Sequence, residues 1–130
     1  MSDHRVALRW QDFDGLGHAN HAMFVTYFEE GRDAWLRELG FPRDEYVVGR
    51  CTIEYRREIG PEHAAVVVRC AVREIGGSSV TTSEQILDEA GNVLAEAAFG
   101  LVMWDPVERR SRPLTPAERE SLQQNMEAPA

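Results

Sequence analysis

The chain has 130 residues, of which 43% are apolar and 28% charged, with a formal net charge of −8 and a sequence pI near 5.0. That length predicts a single domain, residues 1–130, with one real core. The acidic balance excludes nucleic-acid binding through phosphates, which needs a basic face, while leaving room for a local basic pocket that takes a small anion. No apolar run reaches the roughly 18 residues that a membrane span needs. The opening MSDHRVALRW lacks the apolar stretch of a secretion signal. The expected location is therefore cytoplasmic, with no membrane partner. Cys51 and Cys70 both sit in apolar, strand-like runs outside any C-x-x-C pair. They read as core or strand residues, and neither a metal site nor a disulfide framework is expected.

In chain order, residues 4–10 alternate Val6 and Leu8 with Arg5 and Arg9, which predicts a strand. Residues 11–20 carry two glycines and two aspartates and read as a loop. A helix is predicted over 21–39. At 100° per residue, Phe28, Gly31, Trp35 and Leu39 fall within about 60° of Phe24. Tyr27 and Ala34 flank one side and Leu36 the other, while Thr26, Glu29, Glu30, Asp33 and Arg37 cover the opposite face. Gly31 in the apolar stripe costs roughly 1 kcal/mol of helix propensity; close approach of a sheet is the expected compensation. Gly40 and Pro42 stop the helix.

Strands are predicted over 48–59, 64–75, 79–88 and 93–104, with a turn at 89–92. Their short connectors predict antiparallel neighbours along the chain. Thr115-Pro116-Ala117-Glu118 is a helix start, with Thr as cap, Pro at the first helical position and Glu completing a capping box. The tail after Gln124 is expected to fray. One long helix and a five-stranded antiparallel sheet make an α+β layer, with a short C-terminal helix.

The segment Asp12-Phe13-Asp14-Gly15-Leu16-Gly17-His18-Ala19-Asn20-His21 concentrates chemistry. Two carboxylates, two imidazoles and one amide lead into a helix N-terminus, whose free N–H groups and partial positive charge suit a developing oxyanion. A nearby carboxylate can serve as nucleophile or general base. The same residue types also cap helices and form turns, and from the residues alone both readings stay open.

The run Arg9-Trp10-x-Asp12-x-Asp14-x-x-Gly17-His18-x-Asn20, followed by Tyr27-Phe28-Glu29-Glu30-x-Arg32 and Trp35-Leu36, resembles the 4-hydroxybenzoyl-CoA thioesterase branch of the hot-dog superfamily. The resemblance extends over most of the chain. It implies a hot-dog fold, in which a five-stranded sheet wraps round the long helix. It also implies an acyl-CoA substrate, no cofactor or metal, and a homodimer or homotetramer with sites at the subunit interface. By the motif, Asp14 matches the family's catalytic aspartate, and Asp12 a commonly acidic neighbour. His21, seven residues after Asp14, matches a position where YbgC-type acyl-CoA thioesterases also have His, and the backbone N–H near it would meet the thioester carbonyl. His18 and Asn20 match the G-H-x-N pattern and are candidates for shaping the loop and binding substrate. Tyr27, Met23, Phe24 and Phe28 are expected to set pocket depth.

One departure stands out. Where some relatives place basic residues that grip the CoA phosphates, this chain has Gly76-Gly77-Ser78-Ser79, whose N–H groups and hydroxyls offer a weaker phosphate cradle near Arg73. Arg109, Arg110 and Arg112 are either a second basic patch or a solvated turn. Glu54, Arg56, Arg57 and Glu58 read as an outward strand face. The expected activity is acyl thioester hydrolysis; the rival from another class is an acyl-CoA-binding module without turnover.

Overall fold

The computed structural model describes residues 2–42 and 45–128. Its elements are β1 (Ser2–Ala7), a 3-10 turn (Trp10–Asp12), α1 (His21–Glu38), β2 (Tyr46–Tyr55), β3 (Ala65–Ile75), β4 (Ser79–Leu87), β5 (Val93–Asp105), β6 (Arg110–Ser111) and α2 (Pro116–Gln123). The strands pair antiparallel in the order β1-β3-β4-β5-β2, and β6 adds two residues to the end of β5. The architecture is the α+β hot-dog arrangement, with five main strands and a sixth short one.

β3, β4 and β5 follow one another as a meander, as their short turns require. β2 does not join them in sequence order. It pairs with β5 at the far edge, and β1 takes the place beside β3. The connection from β2 to β3 therefore crosses one end of the sheet. Arg56 and Arg57 both donate their N–H to the Leu94 carbonyl, and the Ile59 carbonyl accepts from Ala19 N at 2.8 Å. These bonds pull residues 56–59 off the ladder, so the strand ends at Tyr55 rather than 59. Residues 8–10 leave β1 for a similar reason. Leu8 N still reaches the Ala64 carbonyl, and the chain then folds into the turn that ends at Asp12.

α1 lies across one face of the sheet with its stripe inward. Phe24, Phe28, Gly31 and Trp35 are buried as the period predicts, and Tyr27 and Leu36 are buried with them. They pack on Val66, Val68, Cys70, Ile86, Phe99 and Leu101. Each fully buried side chain of this size contributes about 1.5–3 kcal/mol. Gly31 has its expected explanation: a Cβ there would overlap the side chain of Val68 on β3. The helix ends at Leu39, and Gly40 takes φ +91°, a conformation open to glycine at little cost.

Arg32 breaks the helical pattern. It is as buried as the aromatic residues, with its guanidinium on Glu84 of β4 and over the Phe99 ring at 4.2 Å. Thr115 caps α2 and Glu118 closes the capping box as predicted. Residues 125–127 are bonded to β3 where fraying was expected: Val72 N donates to the Asn125 carbonyl, and Glu127 N donates to the Val72 carbonyl. β1 reaches along β3 only to Cys70, so the tail fills the edge that β1 leaves open. Arg112 is likewise no solvated turn residue. It is mostly covered and bonded to Glu45 and Glu118.

Candidate active site

The 11–20 segment folds into a small closed loop beside the start of α1. Phe13 and Ala19 face each other in an antiparallel bridge. Inside it, Asp14 N donates to the His18 carbonyl and Gly17 N to the Asp14 carbonyl, both at 3.0 Å. Gly17 takes φ +82°, which the tight reversal needs. One oxygen of the Asp14 carboxylate accepts from Leu16 N at 2.9 Å, and the other lies 3.7 Å from His18 Nδ1. The carboxylate is thus oriented by the loop yet still in touch with solvent.

Asn20 is the N-cap of α1, and its side-chain oxygen accepts from Ala22 N and Met23 N. Of the first three helical amides, that leaves the His21 N–H, which has no hydrogen-bond partner among the described residues. The His21 ring is exposed and stands edge-on to Tyr55 at 6.1 Å between centroids. Tyr55 also packs edge-on to Phe24 and donates its hydroxyl to the His21 carbonyl at 3.2 Å. An open groove of about 340 Å³ runs over these groups, lined by His18, Ala19, His21, Phe24, Tyr55, Arg56, Arg57 and Glu58. Asp14 contacts His18 and is not itself one of the lining residues.

Asp12 lies beneath the loop, 4% exposed. Its carboxylate accepts from Arg9 N, from Arg9 Nε and, at 2.9 Å, from the Tyr27 hydroxyl. Burial and this acidic partner together push the Tyr27 phenol well above its ordinary range. Tyr27 is wholly buried and does not border the groove. Its placement in the core, bonded to Asp12, differs from the substrate contact expected for it.

The fold puts Asp14 against His18, sets Asn20 as the cap of α1, and places His18 and His21 on the groove. It does not bring the 76–79 segment to them within one chain. That segment is the β3–β4 turn, closed by Gly76 N on the Ser79 carbonyl and held from behind by Leu114 N on the Gly77 carbonyl and Met103 N on the Ser78 carbonyl. The 11 residues of β3 separate it from the loop end of the sheet, roughly 30 Å along the strand. Arg119 donates to the Gly76 carbonyl, and Arg112, bonded to Glu45 and Glu118, borders Gly77 and Ser78. Arg56, Arg57 and Glu58, expected on an outward strand face, line the groove instead, together with Tyr55, which the sequence did not mark. They enter it because the chain bends away from the sheet at 56, which no local pattern announces.

A model of the thioesterase-like superfamily matches residues 8–125. The chain belongs to that superfamily, and its fold is the hot-dog fold of thioesterase structures. It is similar to the acyl-CoA thioester hydrolase YbgC of Escherichia coli O6:H1, 25% identical over 116 residues that cover 84% of this chain and 86% of that protein. Among solved structures it is similar to a thioesterase from Thermus thermophilus complexed with coenzyme A and Zn, at TM-score 0.85 and 27% identity, covering 98% and 96% of the two chains. A predicted thioesterase from Bacillus stearothermophilus superposes equally well, at TM-score 0.85 and 25% identity, with 98% of each chain covered.

Proposed function

We propose that this chain hydrolyses acyl-CoA thioesters, with Asp14 as nucleophile or general base and the His21 N–H as oxyanion donor. The observation that carries this reading is the free His21 amide at the start of α1, next to a loop-held carboxylate. Asn20 occupies the two following amides, which leaves one N–H for the thioester oxygen. Asp14, or a water it deprotonates, adds to the carbonyl carbon. The carbonyl oxygen gains negative charge against the His21 N–H, a donor worth about 3 kcal/mol of barrier. The C–S bond then breaks and the thiolate leaves, taking a proton from the His21 side chain or from water; where Asp14 itself was the nucleophile, water then cleaves the Asp14–acyl anhydride, releasing the acid and restoring the carboxylate. Phe24 and Tyr55 offer an apolar wall for the acyl group, and His18 and Arg57 a polar rim.

The CoA relatives and the split between the two chain ends support a paired assembly. Asp14 and the 76–79 turn lie at opposite ends of β3, so a site that uses both draws them from two copies. The edge strand β2 supports the same reading. Among the described residues it has no neighbour on its outer side, and Val48 and Tyr55 on it are 45% and 47% exposed. An unpaired edge of this kind is a template for pairing with another strand.

A thiol-release assay over acyl-CoA and acyl-carrier-protein substrates tests the proposal. Asp14→Asn keeps an acceptor for Leu16 N, so the loop should stay folded while turnover falls by about two to four orders of magnitude. Full activity in that variant would remove Asp14 from its role. Tight binding of acyl-CoA by the wild type with no thiol release would replace hydrolysis with a binding function.

A further inference from the structure

We infer that the buried Asp12–Tyr27 bond is a positioning tether, which holds Asp14 at a set distance from the α1 N-terminus. The inference rests on the hydrolytic reading above and adds two residues that do not touch the groove.

Asp14 and the His21 N–H are joined through the loop by six intervening residues, including two glycines. The loop's own bonds close it on itself but leave its placement against α1 to contacts outside it. The loop is tied down at two points on either side of Asp14. On the far side, Ala19 N is bonded to the Ile59 carbonyl at 2.8 Å. On the near side, two residues before Asp14, the Asp12 carboxylate accepts the Tyr27 hydroxyl at 2.9 Å. Tyr27 belongs to α1, the same rigid body that presents the His21 amide. The Asp12 anchor thus refers the position of Asp14 directly to the oxyanion donor. Arg9 doubles the tie, since its guanidinium bridges Asp12 and Glu30 of α1 at 3.2 and 3.3 Å.

Burial makes the tether firm. Asp12 is 4% exposed and Tyr27 fully enclosed, so water cannot replace the bond, and an unpartnered carboxylate there would be costly. Misplacing a reacting group by about 1 Å costs on the order of a hundredfold in rate, and that is the quantity the tether controls.

Tyr27→Phe tests it, because the ring stays and the hydroxyl alone is lost. Two readouts are taken on the full chain. Native-state hydrogen exchange follows the amides of Asp14, Gly17 and Ala19, and steady-state thiol release gives kcat and KM on one acyl-CoA. The expected result is faster exchange at those three amides and kcat lower by about ten- to a hundredfold, with KM little changed. Thr82→Val is the control. It removes a buried hydroxyl bonded to Glu84, far from the loop, and should lower Tm with kcat at the wild-type value. Unchanged loop exchange in Tyr27→Phe overturns the tether. Faster exchange with wild-type kcat overturns its part in the reaction. A wild type that releases no thiol defeats the hydrolytic reading instead, and the exchange readout still decides whether the bond holds the loop.

Discussion

Arg32 Nη1 donates to Glu84 Oε1 at 3.1 Å, and each residue is 1% exposed. The pair bridges the central helix and the middle of the sheet, with the Thr82 hydroxyl completing the carboxylate's shell at 2.6 Å. Burial pushes the Glu84 carboxyl above its ordinary range, against the pull of the Arg32 guanidinium. Removing one partner strands the other charge in the core. Arg32→Met or Glu84→Leu alone should cost about 3–5 kcal/mol, while the double variant should lie closer to wild type than either single one. Urea unfolding of the four proteins checks this; losses that simply add would show that the two charges do not depend on each other.

At Gly31 the α1 backbone packs so closely on β3 that an added Cβ would overlap the Val68 side chain. Gly31→Ala gains helix propensity of about 1 kcal/mol but forces the helix off β3. The net effect should be a loss of about 1–3 kcal/mol. Val68→Ala removes the two methyl groups but keeps the Cβ, the atom nearest the added methyl, so Gly31→Ala should cost less in that background than in the wild type and still be destabilising. Thermal unfolding of the two single variants and the double measures the coupling.

Asn20 separates stability from chemistry at the helix start. Asn20→Ala loses the cap and should lower stability by about 1 kcal/mol. Asn20→Asp keeps the cap and favours the helix dipole, so Tm should hold or rise. It also places a negative charge beside the proposed oxyanion position, so kcat should fall at least about tenfold, with the loss read by thiol release. Undiminished kcat in Asn20→Asp would move the oxyanion donor away from His21.

The Arg112 guanidinium donates to both oxygens of Glu118 at 2.8 Å, and that bond holds the Glu118 carboxyl below its ordinary range. A folded value below the unfolded one gives stability that is fully present above the unfolded value, about 4.3. It is lost as pH falls through the folded value. Glu118→Gln should therefore cost about 1–2 kcal/mol at pH 7, allowing for partial exposure. The wild-type and variant stability curves should converge below about pH 4. Unfolding free energies from pH 3 to 8 test the sign; a gap that widens in acid would contradict it.

Much of this molecule was legible in its sequence. The helical stripe from Phe24 to Trp35, the Thr115–Glu118 capping box and the β3–β4–β5 meander all follow from local rules, where the residues that interact lie within a few positions of one another. The loop before α1 was legible as a chemical segment because its carboxylates, imidazoles and glycines are packed into ten residues.

Local pattern thus settles which residues turn inward along each element and where chemistry is concentrated. Who meets whom is a property of the closed fold. Arg32 and Glu84 are 52 positions apart, and Tyr27 and Asp12 are 15. β2 lies beside β5 rather than β3, and the tail seals the open edge of β3. A periodic pattern states that a side chain faces the core but carries no address for its partner. Partners are settled by how the sheet closes over the helix, and a buried charge becomes acceptable only once its counterpart arrives from elsewhere in the chain. The same holds for the loop before α1: its residues are local, but the element they are anchored to, through Asp12 and Tyr27, lies in the core.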